Sequence, residues 1–117
     1  MIDQLQDLKE RIRRFAEERD WDQYHSPKNL AMALVVEAAE FVEHFQWLTE
    51  EQSRSLPADT RAEVEAELAD ILIYVIRIAD RLDIDLYRAA LDKLERNAEK
   101  YPADVVRGLS KKYTDYK

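Results

Sequence analysis

Apolar residues fall at helical spacing through most of the chain, and the breaks in that rhythm divide it into elements. Leu5, Leu8, Ile12 and Phe15 recur at three- and four-residue steps with charged residues between them, which predicts an amphipathic helix over about residues 3–19. Residues 20–25 carry aromatics without that period and read as a connection. Ser26-Pro27 marks a helix start, with Ser26 as N-cap and Pro27 at the first helical position, where its missing N–H costs nothing. The second helix is expected to run to about Trp47, with Leu30, Leu34, Ala38, Phe41 and Phe45 on its inner face.

Thr49 and Gln52 match a capping box and predict a short helical turn, which Pro57 ends. Asp59 or Thr60 is expected to cap a third helix whose stripe is Val64, Leu68, Ile71, Val75, Ile78 and Leu82. A fourth helix starts at Asp83 or Asp85, turns Leu86, Leu94 and Ala98 inward, and stops before Pro102, because a residue preceding proline avoids helical geometry. Residues 103–117 are polar without a clear period and read as a tail. The pattern therefore predicts an all-α fold: a four-helix bundle with short flanking helical segments, forming a single domain over residues 1–117. Helices two and three carry apolar residues beyond one narrow stripe, among them Met32, Val35, Val36, Val42, Leu72 and Ile73. One small bundle has too little interior for all of them, so a helical dimer or higher oligomer is expected.

Composition acts mainly by exclusion. A single glycine in 117 residues argues against a turn-rich β fold. A net charge of −7 disfavours binding to a nucleic acid polymer, yet an acidic protein can take an anionic substrate through an intervening divalent cation. Without cysteine there is no thiolate nucleophile, disulfide framework or zinc finger. The longest apolar run, AMALVV, is far short of the ~20 residues that span a bilayer, and the first residues lack the apolar core of a signal peptide. No membrane partner is expected, and the reading is of a soluble, cytoplasmic protein.

The informative residues are carboxylates inside the most apolar stretches. Helix two reads AMALVVEAAEFVEHF, with Glu37 and Glu40 among aliphatic and small residues; helix three reads AELADILIYVIRIA, with Glu67 and Asp70 in a similar setting. Positions three apart on a helix lie about 60° apart around its axis, so each pair projects to one side. Burying ionised carboxylates without partners is costly, and a hard divalent cation such as Mg²⁺ with oxygen ligands is a natural compensation. The plainer reading is that these residues sit at the edge of the stripe, facing solvent and paired with nearby arginines. The pattern alone leaves both open.

The ordered blocks resemble a known family. Glu37-x-x-Glu40, then 26 residues, then Glu67-x-x-Asp70 is similar to the signature of MazG-like, all-α nucleoside triphosphate pyrophosphohydrolases. FAEERDWDQYHSPKNLAMALVVEAAEFVEHFQW and the later ELADILIYVIRIADRLDIDL, KLERNAEKYP and KKYT look like the two halves of its dCTP pyrophosphatase branch. The resemblance implies hydrolysis of a dNTP, dCTP or a modified dCTP above all, to monophosphate and pyrophosphate. It implies Mg²⁺, with Mn²⁺ able to substitute, on Glu37, Glu40, Glu67 and Asp70, and Glu40 is the favoured base. By the same resemblance Trp21, Trp47 and Tyr74 surround the base. Lys93 and Tyr101 contact phosphates, Asn97 the sugar or base, and Arg81 and Lys112 are further phosphate candidates. A homotetramer, as a dimer of dimers, is also implied. The sequence departs from some members of the branch at Ile12, where they carry a histidine near the base. His25 and His44 are assigned no role. Two other classes compete: a non-catalytic helical oligomerisation or interaction module, and a di-iron bundle, whose Glu-x-x-His motif the sequence lacks.

Overall fold

The computed structural model describes residues 3–109, all of whose regular structure is helical. The chain divides into two compact units, Met1–Ile84 and Asp85–Lys117. In the first, α1 (Gln4–Glu18), a 3-10 turn (Asp22–Tyr24), α2 (Pro27–Glu43), α3 (Glu50–Ser53) and α4 (Ala58–Arg81) follow in order. The second holds α5 (Leu86–Lys100) and α6 (Ala103–Val106). Among the described residues no helix is long and apolar enough to cross a membrane.

The helix starts follow the capping signals. The Asp3 carboxylate accepts from the N–H groups of Leu5 and Gln6, Ser26 Oγ from Asn29 N–H, and Asp85 from Arg88 N–H. Thr49 and Gln52 exchange both bonds of the capping box. Three boundaries differ from the sequence reading. The second helix ends at Glu43, not near Trp47, because the chain tightens there: Phe45 N–H and Leu48 N–H reach back only three residues, to Val42 and Phe45. The third long helix begins at Ala58, ahead of Asp59 and Thr60, since Arg61 N–H already bonds to the Pro57 carbonyl at 2.8 Å. The expected tail contains α6, started by Pro102, whose carbonyl accepts from Val105 and Val106.

In the first unit, α2 lies mainly against α4, and α1 packs on α4 as well. The interior is small: Ala16 from α1, Leu30 from α2, and Val64, Ile76 and Ala79 from α4. Two helix ends share an unusual device. Asp20 and Asp83 both have φ of 55°, a left-handed conformation that an L side chain adopts at a cost. After α1, Trp21 N–H reaches the Ala16 carbonyl at 2.9 Å and Asp20 N–H reaches that of Glu17. After α4, Ile84 and Asp83 repeat the pattern onto Ala79 and Asp80. Both are Schellman motifs, and the first folds Trp21 back over Ala16.

Candidate metal and substrate site

Because α2 packs along α4, Glu37 faces Glu67 and Asp70, which lie three residues apart on α4 and so project to one side. One oxygen from each of these three carboxylates lies within 4.8 Å of the others. Glu37 and Glu67 are half-buried while Asp70 opens to solvent. Glu67 Oε2 is buried with no hydrogen-bond partner. Among these acids Glu37 resists ionisation. Burial pushes the Glu37 carboxyl up to about 7; a proton on Glu37 would be shared with Glu67, and the charges of Glu40, Asp70 and Glu67 push the same way. Tyr74, one helical turn beyond Asp70, has its hydroxyl pKa raised by burial and by the charges of Glu37 and Asp70. Three converging hard oxygen donors and an orphaned carboxylate oxygen fit a divalent cation.

Next to this trio lies a cavity of about 220 Å³ to which Asp70 and Tyr74 themselves contribute. Its other walls come from α1 (Ile12, Phe15), the connection after it (Trp21, His25) and α4 (Ile73, Arg77). The Schellman motif holds Trp21 edge-on to Phe15, with ring centroids 5.7 Å apart, and 6.1 Å from the His25 ring. The result is an aromatic-walled pocket opening beside acidic oxygens. It suits a flat unsaturated ring attached to an anionic group that a cation could hold.

Behind the cavity sits a polar network. Arg77 is only 3% exposed, and its guanidinium donates to Asp22, to Asp80 and, from Nε at 3.1 Å, to His25 Nδ1. Arg13 on α1 also holds Asp80, by an Nε–H bond of 2.9 Å, and keeps that carboxyl below the usual range. Arg81 Nε–H donates to the His25 carbonyl at 3.1 Å. These contacts pin the connection carrying Trp21 against α4. His25, Arg77 and Asp22 are not among the site residues that the sequence suggests. The available signal was Arg77 between Ile76 and Ile78, a charge at the centre of an apolar run.

The structure brings Glu37, Glu67, Asp70, Tyr74 and Trp21 to one site. Ile12, the position at which the sequence departs from some members of the branch, lines the same cavity. Glu40 stands outside the trio, exposed, yet close enough for its charge to act on Glu37. Trp47 is 88% exposed and does not line the cavity. Arg81 is engaged with the connection. Lys93, Asn97 and Tyr101 belong to the second unit, where they follow one another at four-residue spacing along α5 to its C-cap, and Tyr101 N–H bonds to the Asn97 carbonyl at 2.8 Å. Lys112 lies outside the described residues.

Comparison with known proteins gives this geometry a setting. The chain is 42% identical over 113 residues to dCTP pyrophosphatase 1 of Mus musculus, which covers 95% of this chain and 66% of that protein. The same shares and identity hold for dCTP pyrophosphatase 1 of Homo sapiens. The chain thus spans 66% of the length of these relatives, just under two thirds. Among solved structures, a pyrophosphatase from Archaeoglobus fulgidus DSM 4304 is similar at a TM-score of 0.81 and 36% identity, over 87% of this chain and 95% of that one. The model of the MazG-like family matches residues 32–116, a stretch that contains all four acids. By that match, the chain belongs to the MazG-like family.

Proposed function

We propose that the protein hydrolyses deoxynucleoside triphosphates between the α- and β-phosphates, yielding monophosphate and pyrophosphate, with dCTP or a 5-substituted dCTP as substrate. The observation that carries this reading is the carboxylate trio, with its orphaned Glu67 Oε2, opening onto an aromatic cavity. Glu37, Glu67 and Asp70 would hold Mg²⁺, or Mn²⁺ in its place, with Glu40 as the fourth carboxylate. A bound divalent cation neutralises triphosphate charge and lowers the pKa of a water it binds. Glu40, exposed and next to Glu37, is the acid best placed to take a proton from the attacking water. Trp21 offers its ring to the base, and such stacking contributes about 1–3 kcal/mol. Lys93, Asn97, Tyr101, Arg81 and Lys112 are proposed phosphate and sugar contacts on the strength of the family resemblance. The family match crosses both units, which supports treating the chain as one functional domain, acting on the nucleotide pool of the cytoplasm.

The assembly is part of the proposal. Met32, Val35 and Val36 on α2 and Leu68 and Leu72 on α4 are exposed large hydrophobics, a surface that a second copy would cover. We infer a homodimer that pairs into a tetramer. Trp47, exposed and away from its own cavity, is proposed to serve the cavity of another copy. Complementation tests this directly. Trp47→Ala and Glu37→Gln, each inactive alone, should regain activity when co-expressed and purified as mixed oligomers. Activity in Trp47→Ala alone would remove Trp47 from the site. The cation site is tested by titrating Mg²⁺ and Mn²⁺ into the wild type and Glu67→Gln: binding should be lost in the variant, and equal binding by both would reject the trio.

A further inference from the structure

We infer that Arg77 is a positioning residue of the cavity: its buried guanidinium fixes His25 as a neutral imidazole with the proton on Nε2, giving the cavity a hydrogen-bond donor. This rests on the reading of the cavity as a nucleobase site and assigns that site a polarity. An arginine N–H can only donate and is never deprotonated in the working range. The 3.1 Å contact from Arg77 Nε therefore requires a lone pair on His25 Nδ1, and the ring's one proton must sit on Nε2. Among the described residues no hydrogen bond or ion pair occupies Nε2. Arg77 can stay charged in the interior because Asp22 and Asp80 face it. Arg81, one turn further along α4, holds the His25 carbonyl, so ring and backbone are fixed from the same helix. The other charged group facing His25, Asp22, is spent on Arg77. Burial and the Arg77 charge both lower the His25 pKa, in agreement with a neutral ring.

A fixed Nε2–H donor selects a ring edge that presents an acceptor, such as a carbonyl oxygen or an unprotonated ring nitrogen, and disfavours a donor at that place. Trp21 then supplies an unselective face and His25 a selective edge.

The test is the tautomer of His25, read by long-range ¹H–¹⁵N NMR on the full chain without nucleotide. The chain has two histidines, and His44→Gln leaves His25 alone in the spectrum. The expected result is the Nε2–H tautomer at neutral pH. Arg77→Lys keeps a cation between Asp22 and Asp80 but loses the directed Nε–H. It should release His25 into mixed tautomers and raise the KM for dCTP roughly tenfold, with kcat within about twofold, while the helical circular dichroism is kept. An Nδ1–H or protonated His25 in the wild type would overturn the inference. So would a folded Arg77→Lys with unchanged tautomer and KM. If Arg77→Lys fails to fold, Arg77→Gln, whose side chain cannot reproduce the directed Nε–H, replaces it, and an Nδ1–H wild type overturns the inference without any variant. The tautomer is also independent of turnover, so failure of the nucleotide reading and failure of this inference remain distinct.

Discussion

At Glu37 two demands meet: a position on the helix face that packs on α4, and a carboxylate that must share its surroundings with Glu67, Asp70 and Glu40. The consequence is a stability that depends on pH and on cation. Burial raises the Glu37 carboxyl from its ordinary value of 4.5 to about 7 in the fold. The folded chain therefore binds the proton more tightly; this contribution is complete below pH 4.5 and is lost as pH rises through about 7. Without divalent cation, the Tm of the wild type minus that of Glu37→Gln should fall between pH 5 and pH 7.5. A flat difference would mean that Glu37 is not in that setting. Adding Mg²⁺ should stabilise the wild type more at pH 8 than at pH 5.5, because cation and proton compete for the same oxygens. Asp70→Ala should lower turnover on the order of 100-fold or more with the helical spectrum intact; wild-type rates would take Asp70 out of the site. Of these residues the carboxylates stand out in the sequence because they interrupt apolar runs, and the structure gathers Glu37, Glu67 and Asp70 while leaving Glu40 outside the trio. Arg77 was not legible in the sequence. An arginine in a sequence rich in charge reads as solvated until the fold shows Asp22 and Asp80 arriving to face it.

Between helices, the same Schellman geometry closes α1 and α4, and in both places an aspartate occupies the left-handed position. Glycine adopts that conformation without strain, so Asp83→Gly should stabilise by about 0.5–1 kcal/mol, a shift of a few degrees in Tm. Asp20→Gly should gain less, because Asp20 also accepts from Gln23 Nε2 at 3.2 Å. A loss of stability in Asp83→Gly would show that the carboxylate matters more than the backbone. In the interior, Leu30 and Ile76 are the fully buried large side chains, and either substituted by Ala should cost about 2–5 kcal/mol in chemical denaturation. The elements themselves were readable where a side chain decides the boundary: Ser26 before Pro27, and Thr49 with Gln52. They were misplaced where the backbone decides. Nothing in the side chains from His44 to Leu48 announces the tightening that ends α2, and α4 starts on Pro57, which offers no side-chain cap.

Among the described residues the buried core is small and many large apolar side chains are exposed, the observation from which a second copy is proposed. The surplus was visible in the sequence as apolar residues beyond one stripe. The cavity was not, because Phe15, Trp21, His25 and Tyr74 come from α1, the connection after it and α4, and meet only when α1 and that connection lie against α4. On the proposed function, this pocket and its acids form one site for triphosphate hydrolysis. Product analysis by anion-exchange chromatography decides this, after incubating the protein and Mg²⁺ with the dNTPs, the NTPs and 5-substituted dCTP. EDTA and Glu37→Ala serve as controls. The expected result is monophosphate and pyrophosphate from dCTP or its 5-substituted forms, abolished by both controls. Diphosphate and orthophosphate, or no turnover of any nucleotide by folded protein, would contradict it.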